Sequence, residues 1–172
     1  MSVYPVREDT LLVKRSIPEE LEDVDFLEVG VGNAEVSLEA AGNGADVTAV
    51  DINPDAVEHA RERFEEEGLE AEVFRSDIFS EVDGCFDLIV FNPPYLSGPK
   101  DIGDEEMWRG GRTGLETAER FLSQAGEHLK EDGEAWIVLS SSTDHIELVE
   151  RFDLSEIDRE KLWFETVFLY RL

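Results

Sequence analysis

Short apolar runs alternate along this chain with amphipathic segments, and that alternation restricts it to an α/β fold on a mostly parallel sheet. The runs "VDFLEV" (24–29), "DVTAVDI" (46–52), "AEVFRS" (71–76), "FDLIVF" (86–91) and "EAWIVLS" (134–140) read as strands. "AEVSLEAAGN" (34–43) reads as a short helix. Asn53-Pro54 opens a longer one, with a polar cap and a proline in its first turn. That helix sets Val57, Ala60, Arg61 and Phe64 along one side and ends at Gly68. Further helices are expected over 115–129 and near 143–151, with loop over 97–113. "LSEI" and "LWFETVFLYRL" read as a terminal hairpin, and Trp136, Trp163 and Phe168 as core. Nothing in between resembles a linker or a repeat, so residues 1–172 are expected to form one domain.

Charge limits the partners. The net charge is −27, from 42 acidic against 15 basic residues, and only Lys14, Lys100, Lys130 and Lys161 are lysines. The acid is spread along the chain ("EELEDVD", "RERFEEEG", "DIGDEE"), so the surface repels itself in dilute buffer. At about 1 M salt the screening length falls to roughly 3 Å and the repulsion fades. A halophilic source is therefore expected. No basic stripe with interleaved aromatics favours phosphate, so direct nucleic-acid binding is not expected. No apolar run approaches the about 18 residues of a membrane span, and "MSVYPVREDT" has no signal-peptide pattern. A cytoplasmic protein with no membrane partner is the reading. The lone Cys85, a buried or half-exposed thiol, excludes an internal disulfide and a cysteine-based zinc site. His59, His128 and His145 lack metal-ligand spacing and read as surface or packing residues, so no metal is expected.

Two stretches carry chemistry. In "FLEVGVGNAEVSLEAAGNGADVTAVDINP", Gly30 and Gly32 sit between a strand and a helix, where glycine admits close approach of a ligand. Asp51 ends the next strand, a position suited to accepting hydrogen bonds from two ribose hydroxyls. A bare G-x-G is equally a tight strand–helix turn; the ordered set Glu28, Gly30, Gly32, Asp51 says more. Glu35 stands where a dinucleotide fingerprint has its third glycine, and with Glu28 it would repel a pyrophosphate. Carboxylates suit the sulfonium and ammonium of S-adenosylmethionine better. Asp77 could reach an adenine amino group with Ile78 against the ring, or simply cap a turn.

The second stretch is "FNPPYLSG". Asn92 follows the fourth strand at the carboxyl edge, and Pro93 holds it extended. Neither Pro93 nor Pro94 donates a backbone hydrogen bond. The Asn92 side-chain oxygen and the Pro93 carbonyl then form a rigid pair of acceptors beside the face of Tyr95. Such a cradle fits a planar –NH2 group and stabilises the positive charge that develops as nitrogen attacks a methyl donor. The alternative is a proline strand stop with a buried tyrosine.

"NPPY" resembles the signature of S-adenosylmethionine-dependent amino-methyltransferases, which act on glutamine amides, adenine N6 or guanine N2. The resemblance extends to HemK-type glutamine methyltransferases of archaea and eukaryotes that modify class I peptide-chain release factors. "YPVREDTLL", "LEVGVG", "DINP" and "MWRGGRTGLETAERF" are similar to that subfamily's segments and keep their order. Asn33 departs from it, where many relatives have Ser or Thr. The resemblance implies a class I methyltransferase fold, seven-stranded and Rossmann-like, whose C-terminal antiparallel hairpin carries a reversed last strand. It implies a cofactor-capping segment over 1–20, in which Thr10 helps hold the cofactor's amino-acid end. Glu28, Gly30, Gly32, Asp51, Ile52, Asp77, Ile78 and Asn92 would hold the rest of S-adenosyl-L-methionine. Asn92, Pro93 and Tyr95 would be catalytic, with Pro94, Trp108 and Arg112 also facing substrate. The glutamine of a release factor's Gly-Gly-Gln motif is the implied methyl acceptor. A small zinc-ribbon-type activator covering the strand edge "AEVFRS" is the implied partner. Bacterial relatives carry an N-terminal helical substrate domain that is missing here, which fits reliance on a partner. Two other functions compete: a nucleic-acid amino-methyltransferase, and an inactive binding subunit.

Overall fold

The computed structural model describes residues 8–93 and 115–172. Seven strands form one sheet: β1 (Asp25–Val29), β2 (Asp46–Asp51), β3 (Glu72–Arg75), β4 (Phe86–Phe91), β5 (Leu129–Ser140), β6 (Ser155–Lys161) and β7 (Thr166–Arg171). Their order is β3-β2-β1-β4-β5-β7-β6. The pairings among β1 to β5 are parallel, and β7 runs antiparallel to both β5 and β6. The expected seven-stranded α/β architecture with a reversed last strand is what the chain forms.

The central strands β1 and β4 are largely apolar on both faces because helices cover both, whereas the edge strand β6 is polar and mostly exposed. Phe26 and Leu27, neighbours on β1, are each fully buried in different clusters. On Phe26's side lie α1 (Glu8–Ser16), α2 (Glu35–Gly42) and α3 (Pro54–Glu67), contributing Leu12, Val36, Ala60 and Phe64. On Leu27's side α4 (Glu116–Ala125) contributes Phe121 and Leu122, and α5 (Ile146–Arg151) contributes Leu148. Local signals set α3: the Asn53 side chain accepts from the Asp55 N–H at 3.1 Å, Pro54 occupies the first turn, and Gly68 caps the end in the left-handed region.

Several expectations need correction. Residues 8–16 are a helix, although their sequence is charged and weakly amphipathic. Tertiary contacts hold α1 in place: Leu12 and Val13 are buried, Lys14 pairs with Glu35 at 3.0 Å, and Arg15 reaches Asp158 on β6 at 2.9 Å. β5 starts at Leu129 rather than 134, because Leu129 pairs with Phe86 before a bulge. Only glycine fits at 133 there, since a Cβ would stand 2.6 Å from the Phe86 carbonyl oxygen. The helix expected over 115–129 ends at Ala125 in a single 3-10 turn, and the one near 143–151 starts at Ile146. In the hairpin, β6 extends to Lys161 and residues 162–165 form the turn. Trp163 lies in that turn and is 99% exposed, so it is not core. Trp136 is buried in the core and Phe168 is half-buried against His145 and Tyr170. Cys85 is exposed. The loop expected over 97–113 lies outside the described residues. Among the described residues no helix is long and apolar enough to cross a membrane.

Candidate active site

The register of the sheet assembles the site. Val29 lies opposite Val50 on β2 and Phe91 on β4, so Gly30, Asp51 and Asn92 stand level at three adjacent strand ends, Asp51 as the last residue of β2 and the other two one residue past β1 and β4. Neighbouring strands are about 4.8 Å apart, which sets the span from Asp51 to Asn92 at roughly 10 Å. Ligands of open α/β sheets bind at this carboxyl edge.

The turn after β1 is held open. The Gly30 and Val31 N–H groups both donate to the Val50 carbonyl, at 2.8 and 2.9 Å. Gly30 has φ +75, and a Cβ there would stand 3.4 Å from the Phe91 ring. Phe91 is therefore a floor under the turn, and it packs on Phe121 at 4.9 Å between ring centres. Gly32 donates its N–H to Asp51 Oδ2 at 3.0 Å, and Asn53 donates to Oδ1 at 2.8 Å. Burial raises the Asp51 pKa above the ordinary aspartate value, against the lowering effect of those backbone donors. Each oxygen keeps a lone pair for a further donor. Ile52, next along, is half exposed and offers an apolar wall.

The acidic residues around the turn behave differently from the sequence expectation. Glu35 does not stand as a bare charge: Arg63 holds it at 2.7 Å and Lys14 at 3.0 Å, and these partners lower its pKa. Arg63 also donates to the Asn33 carbonyl at 2.8 Å, tying the turn to α3. Glu28 is buried and accepts from the Ser37 N–H at 3.0 Å and from the Ser37 hydroxyl. Burial pushes its pKa up to about 8, so much of it is protonated near neutral pH. The repulsion argument against a pyrophosphate therefore loses both of its carboxylates.

Asn92 is the sharpest feature. Its Oδ1 is buried and makes no hydrogen bond among the described residues. Buried polar atoms are nearly always paired, and an unpaired one costs about 1–3 kcal/mol. Pro93 behind it is buried. Pro94, Tyr95, Trp108 and Arg112 lie outside the described residues. Beyond β3, Asp77 pairs with Arg120 of α4 at 2.9 Å, and buried Ile78 takes φ 54, a strained value for a β-branched residue. Thr10 is buried on α1, with its N–H donating to Asp9 at 2.7 Å. It sits one turn before Lys14, whose bond to Glu35 joins α1 to the start of α2. Ser37, Arg63, Phe91 and Arg120 were not among the residues expected from sequence. Phe91, next to Asn92, could have been found as the last apolar residue of its strand. The others act across 9 to 43 residues, with no local signal.

The chain is similar to known methyltransferases. The methyltransferase small domain family matches residues 9–160. A protein of Methanocaldococcus jannaschii, provisionally named a protein N5-glutamine methyltransferase, is 35% identical over 154 residues, covering 87% of this chain and 78% of its own. The ribosomal RNA small subunit methyltransferase C of Shigella flexneri is 33% identical over 134 residues, covering 76% of this chain but 36% of its own. Among solved structures, the E. cuniculi Mtq2–Trm112 complex, which methylates the eRF1 termination factor, gives a TM-score of 0.76 at 24% identity over 99% of this chain and 98% of its own. The T. thermophilus 16S rRNA N2 G1207 methyltransferase, solved with AdoMet and guanosine, gives 0.74 at 23% identity over 96% and 43%. At these identities the two structures establish a shared fold.

Proposed function

The chain belongs to the methyltransferase small domain family, and from that premise we propose that it methylates the glutamine amide nitrogen in the Gly-Gly-Gln motif of a class I peptide-chain release factor. The observation that carries this reading is the buried, unpaired Oδ1 of Asn92, level with Gly30 and Asp51. An acceptor left free at that cost fits a donor that arrives with the substrate, and a primary amide has two N–H groups to give.

S-adenosylmethionine, when bound, supplies an electrophilic methyl group. The open turn at Gly30 and Gly32, the paired oxygens of Asp51 and the apolar Ile52 suit its adenosine part. Thr10, Glu28, Asp77 and Ile78 complete the proposed cofactor set, with Glu28 acting through Ser37 and the fold of the turn. Asn92 Oδ1 accepts one N–H of the glutamine amide, and the Pro93 carbonyl accepts the other; Pro94, outside the described residues, completes the proposed substrate set. Together they orient the nitrogen and favour the positive charge that grows on it during attack. Asn92 is a neutral amide and removes no proton; the nitrogen loses its proton after the new N–C bond has formed. Tyr95, Trp108 and Arg112, outside the described residues, are the side chains proposed for the substrate, Tyr95 for the flat face of its amide.

A small zinc-ribbon-type activator is the proposed partner, docked on the free edge of β3. The Ser76 N–H donates to the Asp51 carbonyl, so residues 74 and 76 turn their backbone toward β2, whereas 73 and 75 face outward. Arg61 caps one outward group, the Val73 carbonyl, at 2.6 Å. The E. cuniculi neighbour's complex with Trm112 supports such a partner. A single domain over 1–172, a cytoplasmic setting and a salt-rich source complete the reading, the last supported by the −27 charge.

A second reading, methylation of a nucleic-acid amino group, is favoured by the ribosomal RNA small subunit methyltransferases C of Shigella, Haemophilus and Salmonella, of whose length this chain covers 35–36%. The test is methyl transfer in molar salt to a release-factor fragment and to its Gly-Gly-Ala variant, with and without the activator. Label on the Gly-Gly-Gln fragment alone is expected; equal label on both would overturn the glutamine assignment.

A further inference from the structure

The turn between β6 and β7 presents Trp163 at 99% exposure and Phe164 at 88%, adjacent and without ring partners among the described residues. Single exposed apolar residues are ordinary, but two neighbouring aromatics this open mark a contact surface. The turn is firmly built. The Leu162 N–H donates to the Glu165 carbonyl at 2.8 Å, and Glu165 accepts from the Ser140 hydroxyl. Thr166 and Ser141 exchange two bonds, Ser141 N–H to the Thr166 carbonyl at 2.9 Å and Thr166 N–H to Ser141 Oγ at 2.8 Å. The aromatic pair thus stands on a pinned base, and little order is lost when a partner covers it.

Its position gives it a purpose. β7 pairs with β5 so that Val167 lies opposite Ser140, while Phe91, just before Asn92, lies opposite Ile137. The turn therefore rises beyond the carboxyl edge, on the side where Asn92 stands. Strand rise and spacing put it roughly 15–20 Å from Asn92. A standard interface covers about 800 Å² per partner, a patch on the order of 30 Å across. A protein that delivers a residue to Asn92 reaches this turn as well.

We propose that Trp163 and Phe164 are the anchor by which the protein substrate docks, outside the pocket that takes its glutamine. The proposal rests on the reading of a protein substrate. Aromatics at such a tip also suit stacked nucleobases. A protein is favoured because residues 162–165 of the turn include no cation, Lys161 stands at the end of β6 beside it, Arg159 is paired to Glu156 and the chain as a whole is strongly acidic. Apolar sockets on a basic protein match this surface better than a phosphate chain.

The experiment compares wild type with the Trp163→Ala/Phe164→Ala double variant, using a full class I release factor, a short Gly-Gly-Gln peptide and naked ribosomal RNA. Both side chains are almost fully exposed, so the fold should not change, and circular dichroism checks this. For the full factor, KM should rise about 10- to 100-fold with kcat unchanged, while peptide kinetics stay as in wild type. An unchanged KM for the full factor overturns the anchor while leaving the glutamine reading intact. Wild-type labelling of RNA that the double variant loses overturns it in favour of base stacking. A wild type that labels neither factor nor peptide removes the glutamine reading, and this proposal with it.

Discussion

Gly32 gives its backbone N–H to the Asp51 carboxylate at 3.0 Å, so the turn after β1 and the end of β2 are one unit. Loss of the carboxylate should therefore do two things: remove the acceptors for the cofactor's ribose, and release the turn. Asp51→Ala is expected to weaken S-adenosylmethionine binding about 10- to 100-fold, with a smaller loss in Asp51→Asn, which keeps one acceptor. Titration calorimetry in molar salt measures both. Wild-type affinity in Asp51→Ala would remove Asp51 from the site.

Asn92→Ala should lower kcat by about 100-fold or more, since it deletes the acceptor proposed to meet the charge that develops during attack. Cofactor affinity should stay within a few-fold of wild type. Single-turnover transfer alongside calorimetry separates the two effects, and equal losses in both would mean that Asn92 mainly holds the cofactor.

Gly30→Ala should destabilise the fold by about 1–2 kcal/mol. The residue sits at φ +75, where a Cβ is strained, and that Cβ would press on Phe91 at 3.4 Å. Trimming Phe91 to Leu should not rescue it, because the strain is in the backbone. Thermal melts of the single and double variants decide this.

Glu28 makes stability depend on pH with an unusual sign. Its pKa rises from 4.5 to about 8 on folding, so between these values the folded state holds a proton that the unfolded chain has lost. Its contribution is complete below about pH 4.5 and declines as pH rises toward 8, by at most about 1.4 kcal/mol per pH unit. Gln at this position still accepts from Ser37 and carries no charge. The advantage of Glu28→Gln over wild type should therefore grow from pH 5 to 8 and then level off in urea melts. A constant difference across that range would show that Glu28 is charged in the folded state throughout.

Arg75→Pro should test the activator edge. The Arg75 N–H faces away from β2, so proline removes an outward donor without cutting the ladder. Cofactor binding should survive while the activator's affinity falls at least about tenfold, with Arg75→Ala as the control for the side chain. Activator binding that is equal in wild type, Ala and Pro variants would place the partner elsewhere.

Much of this was legible in the chain because it depends on neighbours in sequence. The first four apolar runs became strands within a residue or so, since an apolar stretch of that length must be buried on both faces. Asn53, Pro54 and Gly68 bounded their helix through backbone preferences that each residue carries anywhere. The turn at Gly30 and the amide at Asn92 were visible for a similar reason: glycine widens and proline narrows the backbone geometry open to the chain at that point.

What only the tertiary structure decided depends on groups far apart in the chain. Helix α1 is held by the burial of Leu12 and Val13 and by the pairing of Lys14 with Glu35 and Arg15 with Asp158, and no property of residues 8–16 announces those partners. Glu35 is a paired ion because Arg63 meets it across 28 residues, and the pKa of Glu28 is pushed up because the fold buries it, against the lowering effect of its hydrogen bonds from Ser37. Trp163 resembled core until the pairing of β6 with β7 set it in a turn past the end of the sheet. A carboxylate or a tryptophan has no fixed character of its own in a sequence. Burial and partners assign it one, and those are properties of the folded chain.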